Sequence, residues 1–245
     1  MPTIRLSLPL YLPGWLHAPL RRAKHALFPQ RTEQVAVDLS GDREVEWSFL
    51  ASRIPPGPGT ALDFGCGSGN LSIHAIQRGY RVLALDLEEQ HFPWSHPNLE
   101  SACGDLLKLE LPAGGFDLIL NCSTVEHVGL MGRYGVAVKE MDGDLAAMKK
   151  MRQLLKPSGK MLLTIPCGQD AVIVPWHRVY GPERLPKLLH GYAIEEQVYW
   201  MKRQDNRWYP SDRDRALAYP PTSHTTSAYR CSYALGCFVL RPNGG

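Results

Sequence analysis

The stretch Leu62-Asp63-Phe64-Gly65-Cys66-Gly67-Ser68-Gly69-Asn70 decides the fold of this 245-residue chain. It lies between a short apolar run, which predicts a strand, and a segment whose apolar residues have helical spacing. Glycines here let the chain turn sharply and let a ligand approach the backbone without Cβ atoms in the way. The stretch therefore predicts a ligand-binding turn at the carboxyl end of a first strand.

The spacing of these glycines differs from the dinucleotide fingerprint GxGxxG. Gly69 comes one position too early, and Asn70 stands where that fingerprint requires glycine. The turn is therefore not predicted to bind NAD.

Short apolar runs alternate with helix-like segments through the rest of the chain. Strands are predicted over residues 60–64, 80–86, 116–121 and 160–166, and helices over 40–51, 70–78, 142–156 and 182–190. This alternation is typical of βαβ units around a parallel sheet. The last apolar runs, 193–201 and 232–240, are predicted to pair antiparallel at the end of that sheet.

An acidic residue two positions before GxGxG, as in Asp63 and Gly65, resembles motif I of class I S-adenosylmethionine-dependent methyltransferases. Asp86 ends the second strand and corresponds to the acidic residue that binds both ribose hydroxyls in that family. Gly104-Asp105-Leu106 is similar to the segment beside the adenine, and Phe116-Asp117-Leu118-Ile119-Leu120-Asn121 to the strand-four motif. The resemblance covers about residues 40 to 168.

This resemblance implies an α/β fold with a doubly wound, seven-stranded, mostly parallel sheet and an antiparallel edge strand, the Rossmann-like methyltransferase fold. It implies S-adenosylmethionine as cofactor and S-adenosylhomocysteine as product. The expected reaction is O- or N-methylation of a small molecule, such as a sugar or a surface-glycan precursor. The residues expected to bind the cofactor are Asp63, Gly65, Cys66, Gly67, Gly69, Asp86, Leu87, Asp105, Leu106 and Asn121.

The segment after strand four is similar to the Glu-His sequence of many small-molecule methyltransferases. His127 is the candidate base, because an imidazole titrates near neutral pH, and Glu126 is its expected partner. Alternatively, both residues only cap and pack the following helix. Some relatives bind a divalent metal through ExxEH, but Ser123 replaces the first Glu here. Glu126, His127 and His177 are the remaining candidate ligands, an under-supplied set, so no metal is expected.

The segment after strand five, residues 175–180, is predicted to be a loop that contacts the acceptor. His177 and Tyr180 are its candidate site residues. A polar, aromatic-rich stretch around 203–230 is predicted to be an acceptor-side insertion that covers the pocket.

Composition and charge favour a small-molecule partner. Lys and Arg exceed Asp and Glu by only 27 to 24, so the net charge of +3 does not indicate nucleic-acid binding. Asn121-Cys122-Ser123-Thr124 also differs from the Asn-Pro-Pro-Tyr motif of enzymes that methylate DNA bases. The six cysteines form no CxxC pair, which argues against a zinc site or a disulfide framework and favours the cytoplasm. Nothing in the sequence indicates the oligomeric state.

Two parts of the chain are distinguished. Residues 1–39 are predicted to be an N-terminal extension with a basic amphipathic helix. This helix packs on the domain, covers its active site as a lid, or contacts a membrane surface. Residues 40–245 are predicted to be a single methyltransferase domain.

Two alternative functions remain open: another transferase of this fold, such as an aminopropyltransferase with a decarboxylated cofactor, and a non-catalytic cofactor-binding module.

Overall fold

The structure is a computed structural model, and it describes residues 42–131, 140–173, 176–202, 207–221 and 233–243. The chain divides into residues 1–38 and 39–245, and all described residues belong to the second unit. The predicted N-terminal helix and much of the predicted insertion lie outside the described residues.

The helices and strands follow the predicted alternation. The helices are α1 (Arg43–Arg53), α2 (Asn70–Gln77), α3 (Gly143–Leu154), α4 (Arg184–Leu188) and α5 (Arg213–Leu217). The strands are β1 (Gly59–Phe64), β2 (Tyr80–Asp86), β3 (Leu99–Cys103), β4 (Phe116–Cys122), β5 (Leu155–Cys167), β6 (Ala171–Ile173), β7 (His177–Val179), β8 (Tyr192–Lys202), β9 (Trp208–Ser211) and β10 (Ala234–Pro242). A 3-10 turn, Val125–His127, follows β4.

Within the described residues, eight strands form one sheet in the order β3-β2-β1-β4-β5-β10-β8-β9. The strands from β3 to β5 are parallel, which confirms the predicted mostly parallel sheet. Strand β10 runs antiparallel to both β5 and β8, as predicted for the last two apolar runs. However, β10 lies inside the sheet, and the antiparallel edge strand is β9, which the predicted count of seven strands had not included.

Both faces of the sheet are covered by helices. Met148 of α3 shares one buried cluster with Ile119 of β4, and Leu50 of α1 shares the other with Leu118. Adjacent strand residues point to opposite faces, so a strand buried on both faces needs a continuous apolar run. This requirement explains why the strands of the sequence are uninterrupted apolar segments and confirms the doubly wound architecture.

Two local predictions differ from the structure. Strand β5 begins at Leu155, five residues before the predicted start, because the Pro157-Ser158-Gly159 segment forms an irregularity at the start of its pairing with β4. The predicted loop over 175–180 contains strand β7, which pairs antiparallel with β6 in a short hairpin. This hairpin packs against the 3-10 turn. Because that turn follows β4, the hairpin lies beside the end of β4.

A buried arginine connects this hairpin to the segment after β4. Arg178 is 1% exposed, and its guanidinium donates hydrogen bonds to the carbonyl oxygens of Glu126, Val128, Glu140 and Met141 at 2.6–3.2 Å. Five N–H donors in a rigid fork suit several backbone acceptors at once. Arg178 therefore fixes the two ends of the segment that leads from the 3-10 turn to α3.

Asp144 completes this buried network. Its carboxylate lies 3.5 Å from Nε of Arg178 and accepts hydrogen bonds from Arg184 Nε at 2.9 Å and from the Tyr180 hydroxyl at 3.1 Å. A buried charge is tolerated only when it is paired and hydrogen-bonded. Asp144 therefore balances the charge of Arg178.

We expect Arg178→Met to lower the free energy of unfolding by about 3–5 kcal/mol, because it leaves several buried carbonyl groups without their donor and removes one of the two arginines that pair with Asp144. Arg241→Met is the matched control, since Arg241 is half-exposed and pairs with Glu195. Urea denaturation of both variants and the wild type measures the effect. Equal midpoints for the two variants would contradict the buried network.

A cavity at the carboxyl ends of strands β1 to β4

A cavity of about 570 Å³ lies at the carboxyl ends of β1 to β4. Strand order reverses between β1 and β4, and ligands of open α/β sheets bind at such switch points. The lining residues are Arg43, Phe64, Gly65, Gly67, Asp86, Leu87, Glu88, Gln90, Gly104, Asp105, Leu106, Leu107, Lys108, Cys122, Ser123, Thr124, His127, Val128, Gly129 and Glu140. Its volume lies within the range of small-molecule sites.

The glycine turn after β1 forms one wall of the cavity. Gly65 and Gly67 have φ angles of 71° and 48°, in the left-handed region that side chains disfavour. A Cβ on Gly65 would collide with the side chain of Thr124, whereas a Cβ on Gly67 would meet nothing within 4 Å and would project into open space. The turn thus brings bare backbone to the cavity.

Three of the residues predicted to bind a cofactor lie behind this turn, outside the cavity lining. Asp63 is buried and accepts a hydrogen bond from the Ser72 hydroxyl at 2.6 Å, which ties β1 to α2. Burial raises the pKa of Asp63 to about 6. Cys66 is also buried, and Gly69 packs closely against the ring of Phe92. These residues shape the turn, and their contact with a ligand stays a prediction.

The other end of the cavity combines two carboxylates with apolar side chains. Asp86, at the end of β2, accepts hydrogen bonds from the backbone N–H groups of Gly67 at 2.9 Å and Glu88 at 3.3 Å. Asp105 follows β3 and accepts from the N–H of Leu107 at 3.0 Å. With Leu87 and Leu106, they line the cavity and form what we call its Asp86 wall.

Asn121, the remaining predicted cofactor residue, is fully buried at the end of β4. Its amide oxygen accepts from the N–H of Val125 at 3.3 Å, and its Nδ2 lies 3.8 Å from the sulfur of Met151. Asn121 therefore holds the start of the 3-10 turn and is outside the cavity lining.

His127 lines the cavity and Glu126 lies directly behind it. Nδ1 of His127 is 2.5 Å from the carbonyl oxygen of Trp176, so Nδ1 carries the proton and Nε2 is the basic nitrogen. Nε2 lies 3.7 Å from Oε1 of Glu126. Glu126 is 2% exposed, and its Oε2 has no hydrogen-bond partner among the described residues. Burial raises the pKa of Glu126 to about 8, with smaller contributions from Glu46 and Asp42.

The two candidates after β5 lie away from the cavity lining. His177 is buried in β7, and its ring contacts those of His127 and Tyr233 edge-on, with centroids 6.5 and 5.1 Å apart. Tyr180 is fully buried against Asp144. His177 therefore supports the ring of His127, and Tyr180 belongs to the Arg178 network. A role for either in acceptor binding stays a prediction.

The structure adds site residues that the sequence analysis missed. Arg43 of α1 and Ser123 of the turn after β4 both line the cavity. Ser123 has a φ of 44°, a strained conformation for a residue with a side chain. Glu46, fully buried, connects the two. The sequence contains only a weak indication of these residues. Ser123 directly follows the strand-four motif, but no sequence spacing relates α1 to that motif.

The described residues contain neither a cluster of metal ligands nor a helix that could cross a membrane. Among those ranges, no group of three or more His, Cys, Asp or Glu side chains is arranged to hold a metal ion. None of their helices combines the length and the apolar character needed to cross a membrane. The described part of the predicted insertion, 207–221, contributes no residue to the cavity wall.

Comparison with known families gives a partial match. Residues 103–207 match a family described as Caenorhabditis protein of unknown function, DUF268. A probable S-adenosylmethionine-dependent methyltransferase of Mycolicibacterium smegmatis is 24% identical over 56% of this chain and 53% of its own length. An S-adenosylmethionine-dependent Diels-Alderase of a Neonectria species is 28% identical over 48% of this chain and 42% of its own. The chain thus spans about half the length of these curated relatives.

A solved structure resembles nearly the whole chain. The 1,6-didemethyltoxoflavin-N1-methyltransferase of Burkholderia thailandensis, solved with 1,6-didemethyltoxoflavin and S-adenosylhomocysteine bound, has a TM-score of 0.55 and 15% identity. The match covers 98% of this chain and 94% of that one. At this identity the likeness shows the fold, which is the Rossmann-like fold that the sequence predicted.

The raised pKa of Glu126 predicts a pH-dependent stability. A carboxyl that holds its proton more tightly when folded stabilises the fold below its unfolded pKa of about 4.3, and this contribution is lost as the pH rises towards about 8. Glu126→Gln lacks this titration. We therefore expect its stability relative to the wild type to improve from pH 5 to pH 8, by up to about 1.4 kcal/mol per pH unit.

Urea denaturation at a series of pH values measures this difference. Glu100→Gln is the control, because Glu100 is exposed on β3. A constant offset between Glu126→Gln and wild type across the series would show that Glu126 is ionised throughout.

Proposed function

We propose that this chain is a class I S-adenosylmethionine-dependent methyltransferase, which binds S-adenosylmethionine and transfers its methyl group to a small-molecule acceptor. Its similarity to the Mycolicibacterium protein in sequence and to the Burkholderia enzyme in fold supports the proposal. The observation that carries the proposal is the Asp86 carboxylate, which borders the cavity while it anchors the glycine turn. The cofactor and the acceptor would then bind in one cavity, beside the glycine turn.

The cavity residues fit this cofactor. The two oxygens of a carboxylate at Asp86 suit a vicinal diol such as a ribose, and each keeps accepting capacity beyond its backbone bond. Leu87 and Leu106 supply apolar surface for a base, and Asp105 supplies an acceptor for an exocyclic amine. The open side of Gly67 leaves room for a ligand against bare backbone.

When bound, S-adenosylmethionine supplies an electrophilic methyl group on a sulfonium, and the protein aligns the acceptor and removes its proton. In our proposal, Nε2 of His127 accepts that proton, because the Trp176 carbonyl fixes the tautomer in which Nε2 is basic. Glu126 Oε1 lies 3.7 Å from this nitrogen, and in its ionised form it stabilises the imidazolium that results. The neighbouring ring of His177 limits rotation of His127.

The acceptor in this proposal is small and is methylated on oxygen or nitrogen. A cavity of about 570 Å³ suits a compact molecule beside the cofactor, and a net charge of +3 does not favour nucleic acid. The structurally similar Burkholderia enzyme binds a small heterocycle. Phenols, amines and monosaccharides, including surface-glycan precursors, are the classes to screen.

We expect Asp86→Ala to weaken S-adenosylhomocysteine binding by about 10- to 100-fold, because a hydrogen bond to a charged group contributes about 1.5–3 kcal/mol. Asp86→Asn keeps an acceptor for the N–H of Gly67 and should lose less. Glu100→Ala is the surface control. Calorimetric titration with S-adenosylhomocysteine, and with NADH as the non-cognate nucleotide, measures all four proteins. Unaltered affinity in Asp86→Ala would reject this cofactor site.

We expect His127→Asn to reduce turnover at least tenfold while S-adenosylhomocysteine affinity stays within twofold of wild type, because general-base catalysis contributes about 10²–10⁴-fold. Rates are followed as S-adenosylhomocysteine formed, with the methylated product identified by mass spectrometry. This second readout matters because one relative is a Diels-Alderase. Full turnover in His127→Asn would assign proton removal to another group.

A further inference from the structure

Helix α1 begins with an arginine that borders the cavity at its strand-four end. Nη1 of Arg43 donates to Oε2 of Glu46 at 2.6 Å and approaches the sulfur of Cys122 at 3.5 Å. The side chain of Arg43 is 47% exposed, and it lines the cavity. A charged group is therefore held at the cavity wall without being sealed into the core.

The position of Arg43 is fixed from behind by Glu46. Glu46 has no exposed surface, and its Oε1 accepts hydrogen bonds from the hydroxyls of Ser123 and of Thr164, the latter at 2.8 Å. Ser123 and Thr164 belong to the ends of β4 and β5, so one carboxylate connects α1 to two strands. Burying a carboxylate is costly, and here it holds a guanidinium at one place.

The guanidinium has donors left over. Arg43 forms hydrogen bonds only through Nη1 within the described ranges, so its Nε and Nη2 groups make none there. These two atoms form the side of the fork that binds a carboxylate with two parallel hydrogen bonds. An arginine anchored through one nitrogen and open on the other side has the geometry of an anion-binding group.

The distance of Arg43 from the Asp86 wall limits which ligands it can bind. Asp86 ends β2 and Cys122 ends β4, with β1 between them, which separates the two ends by about 10 Å at ordinary strand spacing. A carboxylate at Arg43 would therefore lie across the glycine turn from a nucleoside at Asp86. An amino-acid part that extends from such a nucleoside, or an acceptor bound beside it, would be within reach of Arg43.

We propose that Arg43 is a ligand-binding residue that pairs with a carboxylate in the cavity, and that Glu46 is the positioning residue that holds it there. This inference rests on the proposed function for the identity of the cofactor. The carboxylate belongs either to the amino-acid part of the cofactor or to the acceptor. The first source explains a preference for S-adenosylmethionine over its decarboxylated form, and so for methyl over aminopropyl transfer.

The test compares ligands with and without the carboxylate on the full chain. S-adenosylhomocysteine and 5′-methylthioadenosine share the adenosine and the thioether, but only the first has an amino-acid part. Benzoate and benzamide form a second pair, titrated into free and S-adenosylhomocysteine-loaded protein. The variants are Arg43→Gln and Arg43→Lys, which keeps the charge but loses the fork. Arg53→Gln is the control, since Arg53 lies on the same helix and binds Glu196.

If the cofactor's carboxylate is the ligand, Arg43→Gln weakens S-adenosylhomocysteine by about 10- to 100-fold and leaves 5′-methylthioadenosine unchanged. If the acceptor's carboxylate is the ligand, both adenosine compounds keep their affinity and benzoate binding is lost. Arg43→Lys gives an intermediate loss in either case, and Arg53→Gln gives none. A single cooperative thermal transition in each variant establishes that the variants are folded.

The proposal is overturned if Arg43→Gln changes neither the S-adenosylhomocysteine to 5′-methylthioadenosine ratio nor benzoate binding. Failure of the proposed function has a different signature, because the wild type itself would then not bind S-adenosylhomocysteine. In that case benzoate binding to the free protein still decides the role of Arg43: binding that is lost in Arg43→Gln supports an anion site, and binding that is absent or unaltered rejects it.

Discussion

The hydrogen bond from the backbone N–H of Gly67 to the carboxylate of Asp86 joins the ends of two neighbouring parallel strands. It holds the glycine turn after β1 against the end of β2, and the backbone of Gly65 also donates to the carbonyl of Leu85 at 2.8 Å. Because both strand ends are fixed together, the cavity has a rigid floor. The open face of Gly67 and the remaining accepting capacity of Asp86 then point to one ligand.

The opposite wall of the cavity depends on buried charge. Arg178 and Asp144 hold the segment between the 3-10 turn and α3, and Glu46 holds α1 against the ends of β4 and β5. Each of these charges has partners, so the networks fix positions at a tolerable desolvation cost. Glu126 is the exception, with one oxygen unpartnered among the described residues and a pKa raised to about 8 by burial. Such groups concentrate at functional sites.

Much of the fold could be predicted from the sequence because it is encoded locally. The turn from Asp63 to Gly69 and the apolar strands around it predicted the doubly wound sheet, and the last two apolar runs predicted the antiparallel pairing. Strand β9 could not be found in this way, since Trp208–Ser211 is short, contains a proline and lies at the edge. The hairpin of β6 and β7 was missed for the same reason: its strands have only three residues each.

The site was predictable only where it follows a motif. Gly65, Gly67, Asp86, Leu87, Asp105, Leu106 and His127 line the cavity as expected for site residues. Asp63 and Asn121 lie buried outside the cavity lining, where they support the glycine turn and the 3-10 turn, and their contact with a cofactor stays a prediction. The positions of Arg43 and Glu46 depend on how α1 packs on β4 and β5. The contact between Glu46 and Ser123 joins residues that are 77 positions apart in the sequence. No local pattern encodes that distance.

A crystal structure of the chain grown with S-adenosylhomocysteine tests the central claim most directly. We predict density in the cavity, with the ribose hydroxyls on Asp86, the adenine beside Asp105 and Leu106, and the amino-acid part directed across the glycine turn towards the end of β4. A ligand bound elsewhere, or a cavity without ligand at saturating concentration, would contradict the assignment of this cavity as a methyltransferase site.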